Sequence, residues 1–533
     1  MATVGTVYLI GGGPGDPELI TQKAVRCLGR ADLVLYDALV HPDLLKYCRP
    51  DAERVFVGKR AGRTHERQAQ INARLIAAAS DGRTVARLKG GDPYLFGRGS
   101  EEAEALADAR IPFEVVPGVP SPSAAMAYAG MSPTHRNLSS SVAYVTATES
   151  PEKDRSSHQW EKLATATQTL VIFMGMRKLD VLMNVLIENG RPANCPAAVI
   201  QWASTPQQRT VTGTVADIAE KASAAGLGMP ALTVVGEIVG LRAKLRWYDT
   251  KPLFGRRVLV TRAREQSESL AQALREAGAV AVELPMISIE PPSDPEPLRR
   301  AVERIADYTF VVFTSQNGVQ AFFRAVAAVG GDARVLGGRR VAAIGPGTAE
   351  ALEPFGITPD IVPADFRGEA LAEAIIRAHT GTAAASSNGA APLSAAGKPL
   401  AGVRVLLARA AVARDVLPDT LRAAGAEVDV VPAYETHGAS PEARTKLREL
   451  LAKKELDVIT FTASSTVQHT LKALAPDGPE LLKGLTLASI GPITTQTAAD
   501  LGLEVQVTAQ EYTIEGLVLA LTQHFSESSE SQP

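Results

Sequence analysis

Short apolar runs alternate with stretches of helical periodicity along most of the chain. The runs VYLI (7–10), DLVLY (32–36), RVFVG (54–58) and TVARL (84–88) are bounded by polar or glycine-rich residues, as buried strands are. The intervening segments TQKAVRCLGRA and ERQAQINARLIAAASDG place apolar residues at the spacing of an amphipathic helix. Because strands and helices alternate, we predict an α/β fold.

An internal repeat marks the second half of the chain. RVLVTR (257–262) matches RVLLAR (404–409), and LREAGA (274–279) matches LRAAGA (421–426) at the same offset. VVFTSQNGVQ with ITFTASSTVQ, and AAIGPGT with ASIGPIT, continue the match at nearly that offset. We therefore predict two equivalent α/β units, separated by a flexible insert over 381–401 that is rich in Ala, Ser, Gly and Pro.

The composition narrows the class of protein. The chain has 533 residues, which suggests about three or four domains. Its 55 Lys and Arg nearly balance 58 Asp and Glu, which argues against a nucleic-acid binder. Three scattered cysteines, Cys27, Cys48 and Cys195, suit a reducing cytoplasm rather than a disulfide framework or a metal site. With no leader pattern and no apolar run of about 18 residues, we expect a cytoplasmic protein without a membrane span.

Three loops that contain glycine follow predicted strands. GGGPGDPELIT (11–21), RLKGGDPYLFGRGSEE (87–102) and PGVPSPSAA (117–125) each stand between a strand and a helix. Glycine lets the backbone approach a ligand closely, and free amides at a helix start attract anions. The first loop does not fit a dinucleotide fingerprint, because Asp16 stands where glycine is required and Pro14 lacks an amide hydrogen. It is equally typical of a tight turn.

Two charged features accompany these loops. Asp37 ends the strand DLVLYD, at the position where ligands of α/β proteins gather. It could bind a ribose hydroxyl, act as a general base or cap a turn. Residues 54–98 hold ten Lys or Arg against three Asp or Glu, which suits a polyanionic small molecule. Each of these residues alone is typical of a solvated surface.

The motifs of the first region together resemble a known family. VYLIGGGPGDPELIT, DLVLYDALV, VFVGKRAG, RLKGGDPYLFGRGSEE, VVPGVPS, SPTHR, VIFMGM and PALTVVGEIVGLRAKLRWY have the order and spacing of uroporphyrinogen-III C-methyltransferase, which residues 4–249 resemble. The resemblance implies a two-domain tetrapyrrole methylase fold, with two α/β halves that meet near 120–140. It also implies that S-adenosylmethionine binds between the halves and that uroporphyrinogen III is methylated at C2 and C7 to give precorrin-2.

The resemblance assigns roles to individual residues. The proposed proton acceptor of the family falls on Asp37 and its proposed proton donor on Lys59, which could instead bind a substrate carboxylate. We expect Arg60, Arg63 and Arg98 of the basic segment to bind substrate carboxylates. The cofactor positions of the family fall on Pro14, Gly90, Gly91, Asp92, Leu95, Pro120, Ser121, Met174, Ala203 and Ala231.

The repeat resembles a second family. VTR…LREAGA…P, FTSQNGV, AAIGPGT, VPAYET and ASIGPIT are similar to the motifs of uroporphyrinogen-III synthase over 255–523. The resemblance implies an enzyme without a cofactor that closes hydroxymethylbilane with inversion of ring D. It further implies two α/β domains joined by two crossing strands, so that one domain uses both ends of the region.

Candidate residues in the second region follow from this resemblance and from the repeat. Tyr434 matches the tyrosine that is proposed to help the substrate hydroxyl leave, although a half-buried tyrosine at a domain hinge would look the same. Each Ser or Thr at the strand ends is, taken alone, more typical of a helix cap. We expect substrate carboxylates to be held by Arg262, Thr314, Ser315, Thr348, Ser464 and Thr494.

The sequence as a whole predicts a bifunctional enzyme that makes uroporphyrinogen III and then precorrin-2. Its expected parts are a methyltransferase over 1–249, a linker over 250–256, a synthase over 257–524 and a disordered tail over 525–533. The alternative makes the second region a non-catalytic module that binds a tetrapyrrole. We expect tetrapyrrole substrates, no nucleic-acid, membrane or metal partner, and a homodimer formed through the methyltransferase.

Overall fold

Four five-stranded sheets carry the fold in the described part of the chain. The computed structural model describes residues 4–58, 68–148, 158–263, 267–381 and 398–530. Among these residues, no helix has both the length and the apolar character needed to cross a membrane. The first compact unit comprises Met1–Arg256 with Ala277–Val280, and the second comprises Arg257–Glu276 with Ala281–Pro533.

The first sheet of unit 1 is entirely parallel, with strand order β3-β2-β4-β1-β5. Its strands are β1 (Val7–Gly11), β2 (Leu33–Tyr36), β3 (Glu53–Phe56), β4 (Val85–Lys89) and β5 (Phe113–Val116). The helices between and after them are α1 (Gln22–Leu28), α2 (Gln68–Ser80), α3 (Gly99–Asp108) and α4 (Ser121–Tyr128). The predicted α/β fold, with its first four strands and two helices, is confirmed.

The second sheet of unit 1 has the order β6-β7-β10-β8-β9 and is mostly antiparallel, since β6 and β7 form its one parallel pair. Its strands are β6 (Val142–Thr146), β7 (Thr169–Phe173), β8 (Pro196–Gln201), β9 (Arg209–Thr214) and β10 (Ala231–Val235). Its helices are α5 (Trp160–Ala166), α6 (Leu179–Glu188), α7 (Ile218–Ala224) and α8 (Arg242–Leu245).

Unit 2 contains the other two sheets, with orders β12-β11-β18-β19-β20 and β13-β17-β16-β14-β15. The strands are β11 (Arg257–Val260), β12 (Val280–Glu283), β13 (Ile287–Glu290), β14 (Phe310–Phe313), β15 (Arg340–Ala343), β16 (Arg404–Ala410), β17 (Glu427–Gly438), β18 (Val458–Phe461), β19 (Thr486–Ser489) and β20 (Val507–Thr508). The helices are α9 (Ser267–Glu276), α10 (Glu296–Glu303), α11 (Gln316–Ala328), α12 (Pro346–Glu350), α13 (Gly368–Thr380), α14 (Val416–Ala423), α15 (Pro441–Ala452), α16 (Ser464–Leu474), α17 (Gly478–Leu481), α18 (Pro492–Asp500) and α19 (Ile514–Glu530).

Each sheet of unit 2 combines strands from both copies of the sequence repeat. β11 and β12 belong to the first copy, yet they share a sheet with β18 and β19 of the second copy. Conversely, β16 and β17 of the second copy lie in one sheet with β14 and β15 of the first. The expectation that one domain uses both ends of this region is therefore confirmed, and the repeat in the sequence is not the domain in space.

The first sheet is buried on both faces, as a parallel sheet with helices on both sides requires. Val7 and Leu9 pack into the core under one face, whereas Ile10 packs into the core under the other. The central strand β4 departs from this apolar pattern, because two of its last three residues are the charged and buried Arg87 and Lys89. These two cations lie at the carboxyl edge of the sheet, where the candidate site is built.

The structure differs from two expectations about irregular segments. The tail predicted from residue 525 is helical through Glu530, because Leu517, Leu521 and Phe525 recur every fourth residue and bury one face of α19. The insert predicted over 381–401 ends earlier than expected, since Leu400 is fully buried in a core of unit 2. Residues 382–397 and 531–533 lie outside the described part of the chain.

Candidate functional site

Three glycine loops of unit 1 touch one another through their backbones. Gly13 donates an amide hydrogen to the carbonyl of Gly91 at 3.2 Å, and Gly91 donates to the carbonyl of Gly13 at 2.8 Å. A Cβ atom on Gly11 would lie 2.6 Å from the amide nitrogen of Gly118, and a Cβ on Gly118 would collide with the carbonyl oxygen of Gly91. The loops after β1, β4 and β5 therefore meet because glycine occupies these positions.

Asp92 fastens two of these loops with its carboxylate. One oxygen accepts hydrogen bonds from the amides of Tyr94 (2.9 Å) and Leu95 (3.2 Å), and the other accepts from the amide of Gly118 at 3.2 Å. Hydrogen bonds from several amides replace the water that a carboxylate loses when it is partly buried. Asp92 thus holds the loop after β4 against the loop after β5, and its predicted contact with a cofactor stays a prediction.

The two sheets of unit 1 approach each other at these loops. The hydroxyl of Ser204, in the loop after β8, donates to the carbonyl of Pro14 at 2.6 Å. Gly15, at φ +64°, leaves no room for a side chain, because a Cβ there would collide with the carbonyl oxygen of Ala203. On another side, the rings of Phe96 and Phe173 lie 4.7 Å apart between centroids. We refer to the region bordered by these contacts as the cleft.

The residues predicted to bind a cofactor come from both walls of this cleft. Those after β1, β4 and β5 share the bridged loops, and a Cβ on Gly91 would lie 2.9 Å from the hydroxyl of Ser121. On the second wall, Ala231 starts the strand whose next residue, Leu232, pairs with Phe173, the residue before Met174. The first wall carries Pro14, Gly90, Gly91, Asp92, Leu95, Pro120 and Ser121, and the second wall carries Met174, Ala203 and Ala231.

Strained backbone and exposed apolar side chains coincide beside the cleft. Phe96, Met174 and Trp202 all have φ between +49° and +54°, a left-handed conformation that costs a residue with a side chain about 1–3 kcal/mol. All three side chains are exposed even though they are large and apolar. An apolar or flat ligand at this edge of the sheets would find apolar side chains to contact.

Asp37 lies at the carboxyl end of β2, next to the central strand β4. Its Oδ1 accepts a hydrogen bond from the amide of Leu39 at 3.1 Å, and its Oδ2 lies 3.7 Å from Nη2 of Arg87. The structure thus places the predicted proton acceptor at the same sheet edge as the glycine loops. The other predicted residues of this wall, Lys59, Arg60 and Arg63, lie outside the described part of the chain.

A buried cluster of charges behind Asp37 was not foreseen from the sequence. Arg87 and Lys89 are each 4% exposed and Glu102 is fully buried. Nε of Arg87 lies 3.0 Å from Glu102 Oε1, and Nζ of Lys89 lies 3.0 and 3.1 Å from the two oxygens of Glu102. The basic segment is consequently not one solvated cationic surface, since two of its cations are neutralised inside the fold. The sequence signal for this cluster was the presence of Arg87 and Lys89 at the end of a strand that is predicted to be buried, where a cation needs an acidic partner.

Arg98 is the described member of the predicted carboxylate-binding set in unit 1. Its side chain is exposed beside the loop after β4, and its Nε lies 3.1 Å from Glu101 Oε1. Its backbone has φ +60°, which continues the left-handed geometry of this loop. An exposed ion pair of this kind is weak, so the guanidinium of Arg98 can exchange Glu101 for another carboxylate at small cost.

In unit 2, the predicted residues Tyr434 and Ser315 are in contact. Their hydroxyl oxygens lie 3.0 Å apart, and Ser315 also accepts the amide hydrogen of Gly318 at 3.0 Å as the cap of α11. Tyr434 is buried, and burial raises the pKa of its phenol. The phenol is therefore a neutral hydrogen-bond donor at neutral pH.

The two copies of the repeat use equivalent arginines differently. Arg262 follows β11, and its Nη2 donates to the side chain of Gln316 at 3.1 Å, which links the carboxyl edges of the two sheets of unit 2. Burial lowers the pKa of the Arg262 guanidinium. Arg409, its counterpart, is buried against Asp415 and the carbonyl of Arg414. The two copies of the repeat thus place an arginine at the same distance from the start of the strand, but the groups around the two guanidinium ions differ.

The hydroxyl residues predicted to bind substrate are less open than expected. Thr348 and Thr494, in the first turns of α12 and α18, are buried. Ser464 at the start of α16 shares a hydrogen bond of 2.7 Å with the hydroxyl of Thr497. Thr314 is half-buried directly after β14. For the buried threonines, a role in packing the helix starts is therefore as well supported as substrate contact, and their binding role stays a prediction.

Comparison with known proteins identifies both regions. Residues 6–219 match the family of tetrapyrrole (corrin/porphyrin) methylases, and residues 268–519 match uroporphyrinogen-III synthase HemD. A crystal structure of uroporphyrin-III C-methyl transferase from Thermus thermophilus, complexed with S-adenyl homocysteine, is 38% identical with a TM-score of 0.39, and the match covers 44% of this chain and 100% of that one.

Curated relatives extend the likeness to the whole chain. The porphyrin biosynthesis protein HemD of Ruminiclostridium josui is 37% identical over 96% of this chain and 97% of its own length. The uroporphyrinogen-III C-methyltransferase of Bacillus subtilis is 41% identical over 62% of this chain and 68% of its own length. The siroheme synthase of Pseudomonas fluorescens strain Pf0-1 is 48% identical over 47% of this chain, which spans about half of that protein (53%). Because the first likeness runs through both regions, the chain belongs to the family of fused proteins that join a tetrapyrrole methylase to a uroporphyrinogen-III synthase.

Proposed function

We propose that the chain catalyses two consecutive reactions of tetrapyrrole synthesis. Unit 2 closes hydroxymethylbilane to uroporphyrinogen III with inversion of ring D, and unit 1 then transfers two methyl groups from S-adenosylmethionine to C2 and C7 to give precorrin-2. The observation that supports the proposal is the contact of the glycine loops after β1, β4 and β5 with one another and with the loop after β8 in unit 1. The family membership of both regions supports the pairing of the two activities.

The cleft of unit 1 fits S-adenosylmethionine chemically. A Cβ atom on Gly90 or Gly91 would meet Leu39 or Ser121 within 3 Å, so glycine lets these loops approach closely, and Met174 exposes a thioether beside them. Backbone carbonyl groups suit the positive sulfonium, while the exposed apolar residues suit the adenine and the macrocycle. The residues that would hold the cofactor include Gly90, Gly91, Ser121, Met174 and Ala203. When bound, it supplies an electrophilic methyl group for a carbon nucleophile, and the walls set the in-line approach on which the rate depends.

Asp37 is proposed to accept the proton that the pyrrole ring loses after methyl transfer. A carboxylate at the sheet edge, tethered by the amide of Leu39, is positioned for this task beside the loop after β4. Lys59 is proposed either to donate a proton or to bind a substrate carboxylate. Arg60, Arg63 and Arg98 are proposed to bind further carboxylates of the substrate, which carries one or more on every ring.

In unit 2, Tyr434 is proposed to donate a hydrogen bond to the hydroxyl group that leaves hydroxymethylbilane. Its neutral phenol and its contact with Ser315 support this role, because the donor is then both protonated and oriented. Arg262, which bridges the edges of the two sheets, is proposed to bind a substrate carboxylate where the domains meet. Thr314, Ser315, Thr348, Ser464 and Thr494 are proposed to complete the carboxylate-binding surface.

A second candidate function for unit 2 is non-catalytic binding of a tetrapyrrole. It is motivated by the repeat, which places hydroxyl residues at equivalent helix starts. Binding without catalysis needs only a complementary surface, whereas ring closure needs a proton donor to the hydroxyl group that leaves. Tyr434 is the residue that separates the two candidates.

The test is one anaerobic incubation of the full chain with hydroxymethylbilane, with and without S-adenosylmethionine. The products are oxidised, separated as uroporphyrin isomers and weighed by mass spectrometry. We expect isomer III without the methyl donor and a dimethylated product with it. Isomer I alone, together with methylation of supplied uroporphyrinogen III, would make unit 2 a binding module. Loss of methylation on supplied uroporphyrinogen III would remove the assignment of unit 1.

A further inference from the structure

The buried cluster at the end of β4 contains more positive than negative charge. Glu102 is fully enclosed, and the ammonium of Lys89 already reaches both of its oxygens. The guanidinium of Arg87 adds a second cation at 3.0 Å from the same carboxylate. Burial is the largest cause that lowers the pKa of Lys89, and the charge of Arg87 adds to it. By formal charge, the two cations and one carboxylate of the cluster still lack one anion.

Asp37 supplies that anion. Its Oδ2 lies 3.7 Å from Nη2 of Arg87, and its side chain is three-quarters shielded from solvent. With Asp37 ionised, the two cations and two anions of the cluster balance. An unbalanced buried charge is costly, so the cluster and the Asp37 carboxylate stabilise each other.

The guanidinium of Arg87 is held on every side. Nε bonds Glu102, Nη1 donates to the carbonyl groups of Leu35 (3.4 Å) and Leu88 (3.1 Å), and Nη2 faces Asp37. Because the guanidinium is planar and held by these bonds, its Nη2 can point in only one direction. The position of Asp37 is accordingly set by a group that is itself anchored in the core.

We propose that Arg87, anchored by Glu102, is a positioning residue that orients the Asp37 carboxylate for its part in methyl transfer. The inference rests on the proposed methylation of uroporphyrinogen III with Asp37 as proton acceptor. Every pyrrole carbon of uroporphyrinogen III carries a substituent, so the proton comes from a bridging methylene. Its C–H bond breaks, the electron pair neutralises the cationic methylated ring, and the proton binds an oxygen of Asp37.

The first test compares the kinetic profile, that is kcat and KM for methylation, of variants of the full chain. The charged groups of the described residues nearest Asp37 are Arg87 and Lys89 on β4, with Glu102 on α3 behind them. Arg87→Gln leaves the Asp37 carboxylate without its guanidinium partner, so kcat falls about tenfold while KM changes less than about twofold. Glu102→Gln releases the anchor of Arg87 and lowers kcat in the same way. A change in KM alone, or an unchanged kcat, would overturn the proposal.

The second test is a double-mutant cycle between Arg87 and Asp37. If Arg87 acts through Asp37, then Asp37→Asn with Arg87→Gln loses no more than about twofold beyond Asp37→Asn alone. If the double variant instead loses activity by the product of the two single losses, the proposal is overturned. Arg83→Gln is the matched control, because Arg83 pairs with Glu53 just before the start of the same strand and should leave the profile unchanged.

Two measurements keep these tests decisive. Affinity for S-adenosylhomocysteine, measured by calorimetry, reports whether the cleft is intact in each variant and should change less than about threefold. Should Arg87→Gln fail to fold, Arg87→Lys keeps the charge but loses the fork, and it is expected to lower kcat about tenfold with KM nearly unchanged. A wild-type chain that does not methylate uroporphyrinogen III defeats the proposed function. An active wild type whose Asp37→Asn variant is equally fast defeats this inference alone.

Discussion

The Ser204 hydroxyl and the Pro14 carbonyl oxygen lie 2.6 Å apart, and their hydrogen bond fastens the first glycine loop of unit 1 to the loop after β8. Ser204 is almost fully buried, so this bond is shielded from water. Gly15 makes the approach possible, since its missing side chain leaves room for the carbonyl of Ala203. The contact between the two loops therefore depends on the Ser204 hydroxyl and on the absence of a side chain at Gly15.

Gly15→Ala is expected to damage this contact. The new Cβ would collide with Ala203 and lie 2.6 Å from the Ser204 hydroxyl, in addition to the cost of φ +64°. Gly226→Ala is the matched control, because Gly226 has φ +63° with nothing within 4 Å. The left-handed backbone alone costs about 1–2 kcal/mol. Urea denaturation should show a clearly larger loss for Gly15→Ala, together with weaker binding of S-adenosylhomocysteine. Equal losses in both variants would refute the collision.

Tyr434→Phe is expected to slow formation of uroporphyrinogen III by about tenfold or more, because the buried phenol is the proposed donor to the leaving hydroxyl. Methylation of supplied uroporphyrinogen III should be unchanged, which serves as the internal control. Ser315→Ala should lose about 1 kcal/mol of stability with the cap of α11, and a smaller part of the rate. A Tyr434→Phe variant at full speed would rule out the donor role.

The equivalent arginines of the repeat are expected to respond in opposite ways. Arg409→Gln breaks the buried contacts with Asp415 and the Arg414 carbonyl and should cost about 1–3 kcal/mol of stability, with little effect on turnover. Arg262→Gln should raise KM for hydroxymethylbilane about tenfold, equivalent to about 1.4 kcal/mol of binding, at nearly unchanged stability. Thermal denaturation and initial rates measure both. If Arg409→Gln instead raises KM and Arg262→Gln instead lowers stability, the carboxylate-binding arginine is misidentified.

Unit 2 is expected to lose stability at alkaline pH through Tyr308. Burial, and then its hydrogen bond to Asp429, raises the pKa of Tyr308 from its ordinary value near 10 to about 12. Because the unfolded phenol loses its proton first, the stabilising contribution is complete below about pH 10 and is lost as the pH rises toward 12. Chemical denaturation across this range should show a shallower decline for Tyr308→Phe than for the wild type. Identical slopes would contradict the shift.

Much of this arrangement could be predicted from local sequence. Strands such as VYLI and TVARL and the glycine loops after them were placed correctly, since apolar runs and glycine report local geometry. The partner of Arg87 and Lys89 could not be predicted, because Glu102 reaches them only when α3 packs on the sheet. The same limit applies to Leu400 and Phe525, whose burial depends on distant elements rather than on the polar residues around them.

The exchange of strands between the sheets of unit 2 has a consequence for synthesis on the ribosome. The amide of Arg257 at the start of β11 bonds Asp457, 200 residues later in the chain. The outer domain therefore cannot close until nearly the whole polypeptide has emerged, whereas the domain built from β13 to β17 is encoded in one continuous stretch. Within unit 2, folding during translation must therefore begin with the domain built from β13 to β17, and β11 and β12 remain without their partner strand β18 while that domain forms. A stop codon before β18 would leave these strands without their partner, so truncated chains should be targets for proteolysis.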